Sequence, residues 1–102
     1  MADRRLELHE KLCDLLGSRN VYFQPPESIR MQYPAIVYSL NDIEQMYANC
    51  RVYLYAKEYS ITIISDDPDT DLVDKMAIFP QCRFERSYVS DNLNHYIFDV
   101  YY

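Results

Sequence analysis

The stretch Val52–Ser65, VYLYAKEYSITIIS, decides the fold. Tyr53, Tyr55, Tyr59, Ile61 and Ile63 fall on one parity, and Glu58, Ser60 and Thr62 on the other. A period of two is the pattern of a β-strand with one buried face. At about 3.3 Å per residue the run would be roughly 45 Å long, more than twice a usual strand. A small domain cannot cover such a strand along its whole length. Part of it is expected to project, and a projecting aromatic strand calls for a partner.

The neighbouring residues supply that strand's first companion. Tyr33-Pro34 opens a second extended run, PAIVYSL, and proline is tolerated at the start of a strand. Asn41-Asp42 is expected to bend or bulge the chain before IEQMYA continues it, and residues 48–51 read as a loop. The halves 35–47 and 52–65 match in length, which predicts a long antiparallel hairpin. Its arm, residues 42–58, should reach beyond the core with Tyr47, Tyr53 and Tyr55 as candidate interface anchors.

Upstream, residues 3–16 predict a helix. Leu8, Leu12, Leu15 and Leu16 lie at i, i+4, i+7 and i+8 on one stripe. Asp3 is its expected N-cap and Gly17 sits where a C′ glycine ends a helix. Val21–Gln24 reads as a short extended segment stopped by Pro25-Pro26. Downstream, Leu72, Val73, Met76 and Phe79 recur at helical spacing, with Asp69 or Thr70 as cap and Pro80 as stop. The chain closes with two alternating runs about Asp91-Asn92, a second hairpin. The whole of residues 1–102 thus reads as a single α+β domain. Its sheet is mostly antiparallel, of four to five strands with helices on one face, in the order α-(β)-β-β-α-β-β.

Composition narrows the function. Hydrophobic residues make up 49% and charged ones 25%, a globular balance. The net charge of −6 argues against nonspecific DNA binding, which rests on Lys and Arg. No run approaches the roughly 20 apolar residues of a membrane-spanning helix, and MADRRLELHEK lacks a signal peptide's apolar centre. A cytosolic place of synthesis is expected. Cys13, Cys50 and Cys82 are widely spaced with no CxxC pair, so free thiols are expected. The one glycine, Gly17, rules out a phosphate-binding glycine loop. It also leaves turns that need positive φ to Asn and Asp, as at Asn41-Asp42 and Asp91-Asn92.

The candidate chemical constellations are thin. Asp67, Asp69 and Asp71 open like a calcium loop, but Leu72 stands where its glycine belongs and Ile78 where its glutamate belongs. Helix capping accounts for the cluster. His95 and Asp99 share a strand face, a spacing that would let the acid orient a general base, with no nucleophile signature to complete it. Arg51, Arg83 and Arg86 with Phe84 and Tyr88 form a weak basic-aromatic stripe, interrupted by Glu85. No catalytic, cofactor or metal residues are assigned. The stronger signal is eleven tyrosines against four phenylalanines and no tryptophan. More ring surface is present than a small core hides, and tyrosine suits half-buried positions and interfaces.

Three segments together resemble a known family: LHEKLCDLLGSRNVYFQPPESIRMQYPAIVYSLNDI, KEYSITIISDDPDTDLVDKM and CRFERSYVSDNLNHYIFDVYY. They look like the tail terminator, tail completion or tail-to-head joining proteins of long-tailed bacteriophages and prophages. The resemblance covers essentially the whole chain, and its motifs are structural. It implies a ring, typically a hexamer, that caps the tail tube, ends its polymerisation and meets the head-closure protein. The implied partners are further copies of the chain, the major tail tube protein and the head-closure protein, with DNA only passing through the lumen. It implies no enzymatic activity, no cofactor and no membrane. Its place would be the head–tail junction of the virion, assembled in the bacterial host cytoplasm. Family members can be single chains in solution and close the ring only on the tail. The competing expectations are a head-completion or stopper protein at the neighbouring station, and a small regulatory protein binding one host partner.

Overall fold

The structure, a computed structural model, describes residues 4–25, 32–48 and 51–102. At 44–48 and 51–56 it describes the strand backbone only. The element order is α1 (Arg4–Leu16), β1 (Val21–Phe23), β2 (Ala35–Ala48), β3 (Arg51–Ser65), α2 (Leu72–Ala77), β4 (Cys82–Ser90) and β5 (Leu93–Tyr101). This is the expected α+β order. The five strands lie side by side as β1-β2-β3-β5-β4. Only β1 runs parallel to its neighbour, pairing Val21–Phe23 with Ile36–Tyr38. The other three pairings are antiparallel.

Alternation along β3 sets the two faces of the sheet. Tyr59, Ile61 and Ile63 are buried on one side. Ile36 and Tyr38 join them from β2, and Phe98 and Val100 from β5. Both helices cover this side, Leu8 and Leu12 from α1 and Leu72 and Met76 from α2. Leu15 and Leu16 pack at the margin, so the predicted leucine stripe is the helix's inner face. Each fully buried Leu or Ile of this layer contributes about 1.5–3 kcal/mol. The opposite side of the sheet carries no helix among the described residues. Ser60, Thr62, His95, Ile97 and Asp99 lie on it.

Local details separate expectation from outcome. Residues 48–51 were expected to be a loop, yet Ala48 and Arg51 are themselves a paired rung, so only residues 49–50 lie between the strands. Asn41-Asp42 is not a turn needing positive φ. The register slips between Leu40 and Asp42, the expected bulge within a continuous strand. Positive φ falls instead at Gln24, Gln81, Asp91 and Asn92, so glutamine shares the work assigned to Asn and Asp. The last pair forms the β4–β5 turn as expected. The N-cap of α2 is Asp71, not Asp69 or Thr70. Thr70 helps from one residue earlier, its Oγ1 accepting from the Leu72 amide at 3.3 Å. The helix ends at Ala77, ahead of Pro80. The proposed Asp3 cap lies outside the described residues.

Gly17 ends α1 as its position predicts, with φ +81° and its amide donating to the Cys13 carbonyl at 2.8 Å. A Cβ there would meet nothing within 4 Å, so the backbone conformation alone demands glycine. Replacing Gly17 by Ala is expected to lower unfolding free energy by about 1 kcal/mol without changing the fold. Denaturant titration with unaltered circular dichroism checks this.

Candidate functional site

The hairpin outruns the sheet that supports it. Strand β5 accompanies β3 only from Glu58 to Ser65. Strand β1 accompanies β2 only over Ile36–Tyr38. Beyond Asp42 and Lys57 the β2–β3 ribbon has no third strand on either side among the described residues. The molecule measures 51 × 25 × 23 Å along its principal axes, as expected of a domain with such an arm.

Two of the three candidate anchors sit on paired rungs of this ribbon, Tyr47 opposite Val52 and Tyr55 opposite Gln45. Between them the register slips: Leu54 pairs with Met46 and Val52 with Tyr47, leaving Tyr53 without a cross-strand partner. The unbroken alternation expected through residues 52–65 is therefore interrupted at Tyr53. A bulge re-aims side chains and twists a ribbon. The side chains of all three tyrosines lie outside the described residues.

A clasp closes the base of the arm. The Asn41 amide group donates to a Glu58 carboxylate oxygen. The Tyr101 hydroxyl also bonds Glu58, and the two bonds, the tyrosine's foremost, hold that carboxyl below the usual range. Strands β2, β3 and β5 are thus tied together where β5 stops. Tyr102, the last residue, adds a backbone bond from its amide to the Lys57 carbonyl at 2.9 Å.

The inner end of the hairpin is anchored by a cluster that the alternation pattern did not reveal. Tyr38 is fully buried, and its hydroxyl lies 2.8 Å from His9 Nδ1 and 3.2 Å from Arg5. Arg5 donates to the phenol oxygen. The phenol proton is then directed at His9 Nδ1, which accepts it in the neutral ring. Burial first, then the Arg5 charge, holds the His9 pKa below 6.5 and favours that neutral form. Burial likewise raises the Tyr38 pKa. Phe23 packs on Tyr38 with ring centroids 4.9 Å apart, and Tyr59 at 6.1 Å. Only the spacing of Arg5 and His9 on one helix face hinted at this anchor.

The chemical constellations considered in the sequence are not assembled. His95 and Asp99 share a strand face but serve different neighbours. His95 stacks flat on Tyr88, centroids 4.6 Å apart, and its Nδ1 bonds the Leu93 carbonyl. Asp99 accepts from Arg83 at 3.3 Å. Arg86 lies over the Tyr88 ring at 5.5 Å, so the arginine stripe is on the helix-free side of the sheet. Arg51 is at the arm's tip, its side chain outside the described residues. Asp67 Oδ1 accepts from the Asp69 amide at 2.9 Å, and Asp71 pairs with Lys75, so local turn and helix contacts use this cluster. No group of metal-ligating side chains occurs among the described residues. Cys13 and Cys82 are free thiols, and burial pushes the Cys82 thiol up to about 11. Cys50 lies outside the described residues.

Comparison with protein-family models, curated proteins and solved structures finds no match to this chain.

The Tyr38 anchor makes stability pH-dependent with a defined sign. The His9 pKa is lower folded than unfolded, so the unfolded chain takes up the extra proton first. That contribution leaves stability intact above pH 6.5 and erodes it as pH falls below. Urea midpoints measured between pH 8 and pH 5 should fall more for the wild type than for His9→Gln. Equal slopes would show that the ring is not held neutral by its burial.

Proposed function

We propose that this chain is a structural virion protein of a long-tailed bacteriophage or prophage. It caps the tail tube, ends tube polymerisation and joins the tail to the head, acting as a ring of copies, typically six. The observation that carries the reading is the β2–β3 arm, a ribbon with no third strand along residues 42–57 among the described residues. An isolated two-stranded ribbon is marginal in water, so its length is best accounted for by a neighbour that covers it. The likeness of the whole chain to tail terminator and completion proteins supplies the kind of neighbour: another copy, the tail tube or the head-closure protein.

The chemistry of such a role is mechanical. A head-to-tail contact closes into a ring when its rotation permits, and a projecting ribbon reaches the next subunit by strand addition or side-chain insertion. Tyr47, Tyr53 and Tyr55 supply ring surface for that contact at low entropic cost. The net charge of −6 suits a lumen through which DNA slides without sticking. The reading includes no catalysis and no cofactor. It places the protein at the head–tail junction after assembly in the host cytoplasm.

Alanine at Tyr47, Tyr53 and Tyr55 together is the direct test, made in the phage or prophage that encodes the chain. The variant should fold with an unchanged core but leave separate heads and tails of irregular, excessive length under negative-stain microscopy. Normal particles from the triple variant would remove the arm from the account. Normal particles after deletion of the gene would remove the tail-capping function itself.

A further inference from the structure

The two outer edges of the sheet are complementary on both faces. One edge is β4, whose single neighbour is β5. The other, among the described residues, is β2 beyond Tyr38, where β1 has ended. On the helix-bearing side, β4 exposes Phe84, 50% accessible, and Val89, 68% accessible. On the same side β2 exposes Leu40 and Ile43. On the helix-free side, β4 presents Arg83 and Arg86, while β2 presents Asp42 with Glu58 beside it on the same rung. Apolar residues thus line both edges on one face, and opposite charges line them on the other.

We infer that the β4 edge of one copy adds to the outer edge of β2 in a second copy, head to tail, so that the sheet continues from chain to chain. The inference rests on the ring reading above for its closure, but not for the contact itself. Strand direction permits it. Each of β2–β3, β3–β5 and β5–β4 is antiparallel, so β2 and β4 run in opposite directions. A copy rotated about an axis along the strands keeps those directions and brings β4 antiparallel to the second β2, the better-bonded arrangement. Lengths permit it over most of β4, which has 9 residues: β2 has 14, and the Ile36–Tyr38 stretch covered by β1 meets only the end of β4 at Val89 and Ser90 in the register below.

The register follows from the side chains. Placing Arg86 opposite Asp42 of the second copy puts Phe84 over its Ile43, because the bulge at Glu85 removes one residue from the spacing. In the single chain two of the β2 amides are occupied by exposed side chains. Leu40 donates to Gln24 Oε1 at 3.1 Å, and Ile43 to Asp42 Oδ1 at 2.8 Å. Such caps protect an edge from indiscriminate pairing. An incoming β4 replaces them with backbone acceptors and frees the Asp42 carboxylate for Arg86.

Charge reversal tests the contact, read by sedimentation equilibrium over rising concentration with the fold checked by circular dichroism. Arg86→Asp and Asp42→Arg should each weaken self-association roughly tenfold. The double variant should recover it. So should an equal mixture of the two single variants, because a head-to-tail contact pairs each altered edge with its complement. A single-chain mass at every concentration would overturn the inference, as would association indifferent to the reversals. A species that stops at two chains and responds only to Arg86→Asp would show β4 pairing with β4, and would also overturn it. Rescued association in a phage whose tails need no such protein would keep this contact and discard the tail-capping reading. Normal capping by chains whose reversals are silent would do the opposite.

Discussion

Among the described residues, strand β3 is flanked by paired strands on both sides only from Glu58 to Ile64, and everything else in the molecule follows from where that support ends. Over this half the strand is the middle of the sheet. Its Tyr59, Ile61 and Ile63 form the floor on which both helices rest. Over the other half, from Arg51 to Ala56, its strand partner among the described residues is β2 alone. One continuous strand therefore belongs to two environments, a packed core and a bare ribbon. The Glu58 clasp with Asn41 and Tyr101 marks the boundary between them.

Anchoring the ribbon requires the inner half to be stiff. Tyr38 is central to that. Its ring is closed in by Phe23 and Tyr59, and its hydroxyl is held by Arg5 and His9 of α1. A buried phenol left without partners would cost about 1–3 kcal/mol, so helix and hairpin are fixed to each other by that bond pair as well as by packing. A long ribbon fixed at one end can present its tip at a set position, which is what a subunit contact needs. The opposite edge, β4, is almost wholly exposed and carries the arginines and apolar residues that the β2 edge complements.

Much of this architecture is legible in the residues. Period-two runs at 35–47, 52–65 and 93–101, the leucine stripe and Gly17, and Asp91-Asn92 each mark an element that forms there. Misreadings arose where one residue type serves several geometries. Asn41-Asp42 makes the bulge expected of it, but without the positive φ that its turn chemistry also suggested, because pairing on either side keeps it in the strand. Ala48 and Arg51 look like loop residues, but ladder pairing extends to them. Cross-strand partners are harder to read. The Tyr88–His95 stack and the Arg83–Asp99 pair depend on the β4–β5 register, which the bulge at Glu85 shifts by one residue. That shift brings Arg83 and Arg86 onto one face, a placement that simple alternation would not give. Of the described tyrosines, Tyr33, Tyr88 and Tyr101 are exposed, whereas Tyr38 and Tyr59 are core.

The central claim is that the arm lacks cover in the single chain and gains it on assembly. Hydrogen exchange, resolved by residue, measures this directly on the isolated protein and on protein incorporated into tails. The account predicts slow exchange at 58–65 in both. At 42–57 it predicts fast exchange in the isolated chain and slow exchange after incorporation. Arm amides as protected in the free chain as those of the core, or equally unprotected in both states, would contradict it.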